Sequence, residues 1–524
     1  MISALTHIAR LCRAGFVFAR EGVFGVVDPS LVPPPGQLAL RLARIVERPG
    51  AKSGPRLSRA LTRLGPAYLK LGQFLATRPD VVGAHMARDL ESLQDRLPPF
   101  SQAEAEAVIA TSLERPVAQA FASLGPAVAA ASIAQVHRGE VERDGVRHSV
   151  AVKVLRPNVG ARFRRDLGDF FFVAHKAEMY SAEARRLRLV EVINTMSRSV
   201  AMEMDLRLEA AALSEMAENT KDDPDFRVPT VDWDRTSHNV LTMEWIDGIA
   251  LSDHARLEQS QVDLPELGRK VIQSFLRHAL RDGFFHADMH PGNLFLDNAG
   301  RLVAVDFGIM GRLGLKERRF LAEILLGFIT RDYRRVAEVH FEAGYVPGHH
   351  SVENFAQAIR AIGEPIHNRT AEEISMAKLL TLLLEVTGLF DMRTRPELIL
   401  LQKTMVVVEG VARGFDPKLD IWKVADPVVR EWIERNLGPI GRIQGAMSGA
   451  GELGRVFASL PAIATRAVAV LEQLEALTRD GVILSDETIA SMGRFQDLKS
   501  RWRTAAHWII AITFVGILIA VWKM

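Results

Sequence analysis

Asp288, Asn293 and Asp306 have the residue types and the spacing that phosphoryl transfer requires. They form a D-x-x-x-x-N pattern followed by D-F-G, with about eighteen residues between the two aspartates. In such a pair of motifs the first aspartate orients or deprotonates the nucleophile, and the asparagine and second aspartate bind Mg²⁺ at the nucleotide phosphates. We therefore predict a kinase-type site, with Asp288 as a catalytic residue and Asn293 and Asp306 as metal ligands.

Short apolar runs separate these polar residues. Residues 284–285 lead into the loop, and runs at 294–296 and 302–305 flank the turn-forming sequence at 297–300. Apolar runs around such a turn predict a small β-hairpin. Because the loops before and after a hairpin adjoin each other, the three polar side chains can converge on one point.

Lys153 ends a V-A-V-K sequence that resembles the third strand of a kinase. Such a lysine pairs with nucleotide phosphates and with a helix glutamate, so we assign Lys153 both nucleotide-binding and catalytic roles. Residues 162–219 have a helical pattern, and Glu209 is the first choice for the glutamate. Glu203 and Asp205 are then candidates to reach the metal, or to reach Lys70 and Gln73 on one face of another predicted helix.

The hairpin before Lys153 lacks the expected glycine-rich phosphate loop. Alanines and one serine stand there instead: Ala127, Ala129, Ala130, Ala131 and Ser132. Alanine carries a Cβ, so this loop approaches phosphate less closely than glycine does. Backbone amides and the Ser132 hydroxyl remain candidate nucleotide contacts, and we expect altered nucleotide handling.

Two further stretches are candidates for the nucleotide site. Residues 243–246 would connect the two lobes, where Glu244 and Ile246 offer backbone groups to adenine. Lys70 and Gln73 are three residues apart and share one face of a predicted helix. The residues alone favour a face that is exposed to solvent. The alternative is that this face points into the nucleotide site.

Composition limits the class of protein. The chain has 524 residues, enough for two or three units, and Lys plus Arg (65) nearly balances Asp plus Glu (63), which gives no case for a nucleic-acid partner. The single cysteine, Cys12, excludes an internal disulfide framework and a cysteine-based zinc site. The first 22 residues are interrupted by arginines and predict an amphipathic helix instead of a signal peptide.

The predicted fold class is α+β: a bilobal protein-kinase-like fold with an N-terminal helical extension and a C-terminal transmembrane helix. The predicted ranges are 1–112 for the extension, 113–247 for the N-lobe with inserted helices, 248–440 for the helical C-lobe, 441–500 for a helical linker and 501–524 for the anchor. Within these, residues 101–125 read as one helix with Ser101 as its N-cap.

The anchor prediction rests on an apolar run from Ala505 to Trp522. Its length is near the minimum needed to cross a bilayer core, and Trp508 and Trp522 lie at its two ends. Basic residues precede it, which predicts that the kinase-like unit faces the cytoplasm.

Together these motifs resemble the UbiB family of atypical protein-kinase-like proteins, which is linked to ubiquinone biosynthesis. The motifs are K-L-G-Q at 70–73, A-A-A-S at 129–132, V-A-V-K, E-M-D at 203–205, H-A-D-M-H-P-G-N at 286–293, and D-F-G. The resemblance implies that the Lys70/Gln73 helix folds over the active site, which reverses the interpretation from residues alone. It also implies a Mg²⁺-dependent ATPase or unorthodox kinase at the bacterial inner membrane, with ubiquinone-biosynthesis enzymes and a membrane lipid or prenylated phenol precursor as partners.

Several alternatives stay open. A small-molecule kinase of the aminoglycoside-phosphotransferase type also fits the aspartate motifs, and a non-catalytic nucleotide- and lipid-binding scaffold is possible. A metal hydrolase using His286, Asp288 and His290 is a weaker hypothesis. The older name for such sequences, 2-polyprenylphenol 6-hydroxylase, implies a hydroxylation for which the residues give no physical basis, because no iron or haem site is evident. A homodimer is a further possibility.

Overall fold

The computed structural model describes residues 2–26, 43, 45–48, 56–76, 90, 93, 97–180, 182–366, 386, 388–392 and 396–437. The predicted linker at 441–500 and the predicted transmembrane helix at 501–524 lie outside these residues. Among the residues described, no helix is both long enough and apolar enough to span a membrane.

The chain divides into two compact units, with a boundary between Leu64 and Gly65. In the first unit, helices α1 (Ile2–Arg20) and α2 (Arg56–Leu64) pack around a buried carboxylate, Glu21, which forms ion pairs with arginines including Arg48 and Arg63. The predicted N-terminal helix is therefore present. The helix that carries Lys70 lies in the second unit, Gly65–Gly438.

The second unit combines sheet and helix. Its strands are β1 (Ser123–Ala130), β2 (Ala134–Arg143), β3 (Val146–Leu155), β4 (Phe226–Arg227), β5 (Val240–Glu244), β6 (Gly248–Ala250), β7 (Phe284–His286), β8 (Leu294–Asp297), β9 (Leu302–Ala304) and β10 (Met310–Arg312). Its helices up to the middle of the chain are α3 (Pro66–Ala76), α4 (Gln102–Ser112), α5 (Val117–Ala120), α6 (Val159–Tyr180), α7 (Ala182–Leu187), α8 (Leu189–Glu203) and α9 (Leu206–Thr220). The later helices are α10 (His254–Gln259), α11 (Leu264–Arg277), α12 (Leu315–Thr330), α13 (Tyr333–Glu342), α14 (Val352–Gly363), α15 (Pro396–Phe415) and α16 (Ile421–Leu437).

The strand that carries Lys153 lies inside an antiparallel sheet of order β1-β2-β3-β5. The β2–β3 turn uses Asp144 and Gly145, both with positive φ, as a two-residue hairpin loop does. Alternate β3 residues Val150, Val152 and Val154 are buried in a core that also includes Ile109 of α4. The predicted hairpin before Lys153 is confirmed.

The predicted single helix over 101–125 is wrong in its extent. Ser101 does form a capping box with Glu104, as predicted. The helix ends at Ser112, however, because Glu114 adopts a positive φ and Pro116 follows, and the chain then enters β1. The alanine-rich sequence is thereby placed on a strand and its following turn.

The helical stretch predicted over 162–219 is present as α6 to α9. Helix α3, which carries Lys70, packs on α6 through an edge-to-face contact between Tyr68 and Phe170, whose ring centroids lie 4.9 Å apart. Helix α9 begins at Leu206 and contributes the buried Glu209. This arrangement delivers Lys70, Glu203 and Glu209 toward the sheet that bears Lys153.

The motif-bearing hairpin is also as predicted. Strands β8 and β9 pair antiparallel within a sheet of order β4-β9-β8-β6, and β7 pairs with β10. Helix α11, capped by Asp263, continues as a π-helical turn (His278–Asp282) and ends at Gly283, which has φ +65°. After Gly308 the chain forms β10 and enters α12 at Leu315, with no long segment between.

Two glycines with positive φ give a matched test of this region. A Cβ on Gly283 would lie 2.4 Å from the Leu313 carbonyl oxygen, whereas a Cβ on Gly300, in the β8–β9 turn, would meet nothing within 4 Å. We expect Gly300→Ala to lower the free energy of unfolding by about 1 kcal/mol, and Gly283→Ala to lower it by more than about 2 kcal/mol. Chemical denaturation measures both, and equal losses would contradict the packing at Gly283.

Candidate functional site

One ammonium group joins the two lobes at the centre of the site. Lys153 Nζ on β3 donates to both carboxylate oxygens of Glu209, at 2.7 and 3.0 Å, and to Asp306 Oδ1 at 2.9 Å. The predicted pairing of Lys153 with Glu209 is therefore confirmed. The side chains of Lys153 and Glu209 are 12% and 6% exposed, while that of Asp306 is 50% exposed. Asp306 is thus the carboxylate of this set that is open to a ligand.

The charges reinforce one another. Burial disfavours the charged form of Lys153, but Asp306 and Glu209 outweigh burial and raise its pKa. The Lys153 ammonium is the main cause that lowers the pKa of Asp306, and Lys70 lowers it further. Burial raises the pKa of Glu209 against the opposing charge of Lys153. Lys153 is therefore positive and Asp306 negative at neutral pH.

The backbone before Asp306 is held by the loop at residues 286–293. The Val305 N–H donates to the Asn293 carbonyl oxygen at 2.9 Å, and the Val305 carbonyl oxygen lies 3.2 Å from His286 Nε2. Asp306 itself has φ +64°, a conformation that costs energy in a non-glycine residue. The strained backbone turns D-F-G sharply at the point where its carboxylate meets Lys153.

His286 is a structural residue of the loop. It is 1% exposed, and burial lowers its pKa, so the ring is neutral at pH 7. Its Nδ1 accepts from the Asp288 N–H at 3.1 Å, which leaves Nε2 to donate to the Val305 carbonyl oxygen. The predicted supporting role of His286 is confirmed.

The loop also fixes Asn293 next to Asp288. Asn293 Nδ2 donates to the Asp288 carbonyl oxygen at 3.1 Å and lies 3.4 Å from Asp288 Oδ2, so the amide oxygen is the end left to bind a cation. His290 Nδ1 accepts from the Gly292 N–H at 3.1 Å and shapes the turn, as predicted. Because both histidines use Nδ1 within the loop, the metal-hydrolase hypothesis loses its basis. Among the residues that the structure describes, His286, Asp288 and His290 do not form a metal-ligating cluster.

Lys70 points into the site. Its ammonium lies 2.6 Å from Glu203, and the two side chains are 13% and 14% exposed. The interpretation of this helix face as solvated is therefore wrong, and the one implied by the family resemblance fits. Glu203 takes the second of its two predicted roles, contact with the Lys70 face. Gln73 lies half-buried on the same helix, and its contact with nucleotide stays a prediction.

Asp205 has a role that was not predicted. It is the N-cap of α9: its Oδ1 accepts from the Arg207 N–H, and both carboxylate oxygens accept from the Arg207 guanidinium at 2.9 and 2.7 Å. An N-cap aspartate stabilises the helix whose first turn carries Glu209. Asp205 therefore supports the site through the position of Glu209, and its predicted contact with a metal stays a prediction.

The alanine-rich sequence forms a closed turn. The Ala131 N–H donates to the Ala134 carbonyl oxygen at 2.8 Å, and Arg156 donates to the Ala131 carbonyl oxygen through Nε and an amino group. Ser132 is fully buried in this turn, and its predicted hydroxyl contact with nucleotide stays a prediction. Ala127 and Ala130 are half-buried and Ala129 is exposed on β1, and their contacts with nucleotide stay predictions.

Residues 243–246, predicted to bind adenine, already use some of their polar groups in hydrogen bonds within the protein. The Glu244 N–H donates to the Thr230 carbonyl oxygen at 2.8 Å, so it is not available to adenine, and the backbone contact predicted at Glu244 would fall to its carbonyl oxygen. The Glu244 carboxylate accepts from Arg227, whose Nε also donates to Asp297 at 3.0 Å. Arg227 thereby ties the end of β5 to the motif hairpin. Ile246 follows as the other candidate for the adenine contact.

The donor set suits magnesium. Asp306 and Asn293 offer a half-exposed carboxylate and an amide oxygen, the hard oxygen ligands that Mg²⁺ prefers. Lys153 carries one positive charge between two carboxylates, so this set retains a net negative charge that a cation would neutralise. Asp306 and Asn293 would hold the ion, and Lys153 would face the phosphates.

Comparison with known proteins identifies the domains of the chain. Residues 92–340 match the ABC1 atypical kinase-like domain, and residues 359–420 match the UbiB helical domain. The chain is 39% identical to the probable protein kinase UbiB of Marinobacter nauticus over 84% of this chain and 81% of that one. It is 35% identical to the probable protein kinase UbiB of Cellvibrio japonicus over 98% of this chain and 92% of that one.

The chain belongs to the UbiB family. A solved structure adds to the assignment of the fold: the complex of Rv3197 with erythromycin, from Mycobacterium tuberculosis, is 25% identical, with a TM-score of 0.50. The similarity covers 70% of this chain and 92% of that chain. The predicted family and the kinase-like fold of mixed helix and sheet are confirmed.

The UbiB helical domain supplies a residue that sequence reasoning missed. Thr404 of α15 is fully buried, and its hydroxyl lies 3.0 Å from the Ala287 carbonyl oxygen, directly before Asp288. The Ala287 N–H donates to the Ile309 carbonyl oxygen, so both backbone polar groups of Ala287 are in hydrogen bonds. Arg156 and Arg227 were missed too. None of the three falls in a motif, and their contacts arise only from tertiary packing.

Thr404 can be tested against a threonine with the same local bond. The Thr404 hydroxyl also lies 2.8 Å from the Leu400 carbonyl oxygen, and Thr330 makes the equivalent contact with Leu326 at 2.8 Å on an exposed surface. Thr404→Val leaves the buried Ala287 carbonyl without its hydroxyl donor, which should lower the free energy of unfolding by about 1–3 kcal/mol. It should also speed amide hydrogen exchange in residues 287–293.

Thr330→Val is the matched control and should change stability by less than about 0.5 kcal/mol. Hydrogen exchange followed by mass spectrometry measures the loop directly. Unchanged exchange at 287–293 in Thr404→Val would contradict a positioning role for Thr404.

Proposed function

We propose that this UbiB-family chain is an atypical kinase-like ATPase that binds Mg-ATP and supports ubiquinone biosynthesis. The observation that carries the proposal is the Lys153 ammonium shared between Glu209 and Asp306. A kinase site needs both the lysine–glutamate pair and the D-F-G aspartate in place, and both are in place in this structure. The role in ubiquinone synthesis rests on membership of the family.

Each side chain then has a task. Lys153, held by Glu209, positions the nucleotide phosphates, and Asp306 and Asn293 hold Mg²⁺, which neutralises charge on those phosphates when bound. With Mg²⁺ bound, Asp306 would share its carboxylate between the ion and Lys153. Asp288 orients the acceptor or accepts its proton, and His286 keeps the loop in register through its two hydrogen bonds.

The surroundings favour a small acceptor. Lys70 forms a nearly buried ion pair with Glu203, and the Lys70 ammonium helps to lower the pKa of Asp306, so α3 lies beside the reacting groups. The chain passes from D-F-G to α12 without the long segment on which kinases dock peptides. Water or a prenylated phenol is therefore the proposed acceptor, in preference to a protein serine.

The location and partners follow from the sequence. We propose a single anchor at 501–524 in the bacterial inner membrane, with the kinase-like unit facing the cytoplasm. The unit would then act beside the enzymes that modify the prenylated phenol, to assist or regulate them. Fractionation of full-length and 1–500 chains tests the anchor, and equal membrane association would count against it.

Two alternatives receive less support. An aminoglycoside-type kinase does not require the Lys70 helix, yet here this helix reaches the site through Glu203. The hydroxylase label would need a redox cofactor. Gly449, Gly451 and Gly454 do have G-x-G-x-x-G spacing, but no strand-like run precedes them and they lie outside the described residues.

ATP hydrolysis by the full-length protein tests the proposal. We expect Asp288→Asn to reduce the turnover rate by about 10²-fold or more while nucleotide affinity stays within about threefold, because Asp288 acts on the acceptor and not on the phosphates. The assay should include anionic lipid vesicles and a phenolic quinone precursor, each omitted in turn.

Asp247→Asn is a suitable control, because Asp247 is an exposed aspartate of the inter-lobe segment. Its carboxylate accepts from the Trp245 indole and lies 4.0 Å from the exposed Arg138, so an asparagine keeps the indole acceptor and loses only a weak surface ion pair. Equal turnover rates in the wild-type protein and in Asp288→Asn would contradict catalysis and favour the nucleotide-binding scaffold.

A further inference from the structure

Two adjacent histidines meet one aspartate on the surface of the helical C-lobe. His349 and His350 lie between α13 and α14, and Asp391 lies in a turn ahead of α15. His350 Nε2 and His349 Nε2 lie 3.3 and 3.7 Å from the same atom, Asp391 Oδ2. The three potential ligand atoms all lie within 4.8 Å of one another.

We propose that His349, His350 and Asp391 bind a divalent first-row transition metal, with Zn²⁺ as the best fit. Zinc bonds to imidazole nitrogen and carboxylate oxygen at about 2.0–2.1 Å, so two ligands of a tetrahedral ion lie about 3.4 Å apart. The two nitrogen-to-oxygen distances bracket this separation. Small side-chain movements would therefore admit the ion.

The ligand chemistry distinguishes this metal from magnesium. Two imidazoles and one carboxylate suit zinc, cobalt and nickel, whereas Mg²⁺ and Ca²⁺ prefer oxygen ligands alone. The site is thus chemically different from the one formed by Asp306 and Asn293. It would select a different ion even when magnesium is in excess.

The surrounding core orients the ligands. The His350 ring is 5.3 Å from Phe390, which is buried against Phe355 and Tyr333. His350 is accordingly only 19% exposed, while His349 and Asp391 are 65% and 68% exposed. One ligand is held by packing and two face solvent, so further coordination positions are open to water or to a donor from another molecule.

The position suggests what the metal does. It would fasten the α13–α14 connection to the residues that lead into α15, the helix whose Thr404 contacts Ala287. A metal bridge between segments about forty residues apart restricts the unfolded chain and stabilises this part of the lobe. We assign the metal a bridging role on this basis, with water completing the coordination left open by the three protein ligands.

Cobalt titration of the full-length, untagged protein tests the assignment. With Mg-ADP in excess to saturate the nucleotide site, we expect one equivalent of Co²⁺ to bind and give a visible d–d absorption, and Zn²⁺ to displace it. His349→Ala and Asp391→Asn should each weaken Co²⁺ binding by about tenfold or more. Neither residue is in the core, so both variants should fold.

His148→Ala removes an exposed histidine of β3 and should leave Co²⁺ binding unchanged. Thermal unfolding provides the second readout: Zn²⁺ should raise the melting temperature of the wild type and of His148→Ala, but not that of His349→Ala. Absence of a bound equivalent of Co²⁺, or the same binding in His349→Ala as in the wild type, would overturn the proposal. In that case the three residues form only a hydrogen-bonded surface cluster.

Discussion

One positive charge between two carboxylates is the constraint on which the site depends. Lys153 comes from the β-sheet, Glu209 from a helix, and Asp306 from the loop after the motif hairpin. Removing a single partner from a buried ion pair leaves an uncompensated charge and costs about 3–5 kcal/mol. The sheet, the helix and the loop are therefore held together at the Lys153 ammonium. The ammonium fixes the geometry, and Asp306 provides the opening to solvent.

Much of the remaining structure keeps these three groups in place. Asp205 caps the helix of Glu209, the Val305 peptide is clamped by His286 and Asn293, and Thr404 fixes the peptide before Asp288. These are hydrogen bonds to backbone, each worth about 1 kcal/mol, and those of Val305 hold the chain next to the strained residue Asp306. The UbiB helical domain is thus part of the site's support, through α15, and not only an addition to the fold.

Residue types and motif order could be predicted from the sequence, whereas many of the contacts that the residues make could not. Lys153, Glu209, Asn293 and Asp306 could be predicted because phosphoryl transfer restricts residue type, spacing and order at once. Lys70 was misjudged on the residues alone, since an amphipathic helix looks the same whether its polar face meets water or a buried glutamate. The burial of Ser132 and the hydrogen bond of the Glu244 N–H were not predicted for a related reason. They come from a turn and a strand end that no local pattern specifies.

The central claim is that Lys153, Glu209 and Asp306 form a Mg-nucleotide site. Isothermal titration of Mg-ADP into the full-length wild-type protein and into Asp306→Asn tests it most directly, with ADP in the absence of Mg²⁺ as the reference. We predict that the wild type binds ADP more tightly with Mg²⁺ than without, and that Asp306→Asn abolishes the difference, because the variant loses the carboxylate that holds the ion. An unchanged effect of Mg²⁺ on ADP affinity in Asp306→Asn would contradict the account.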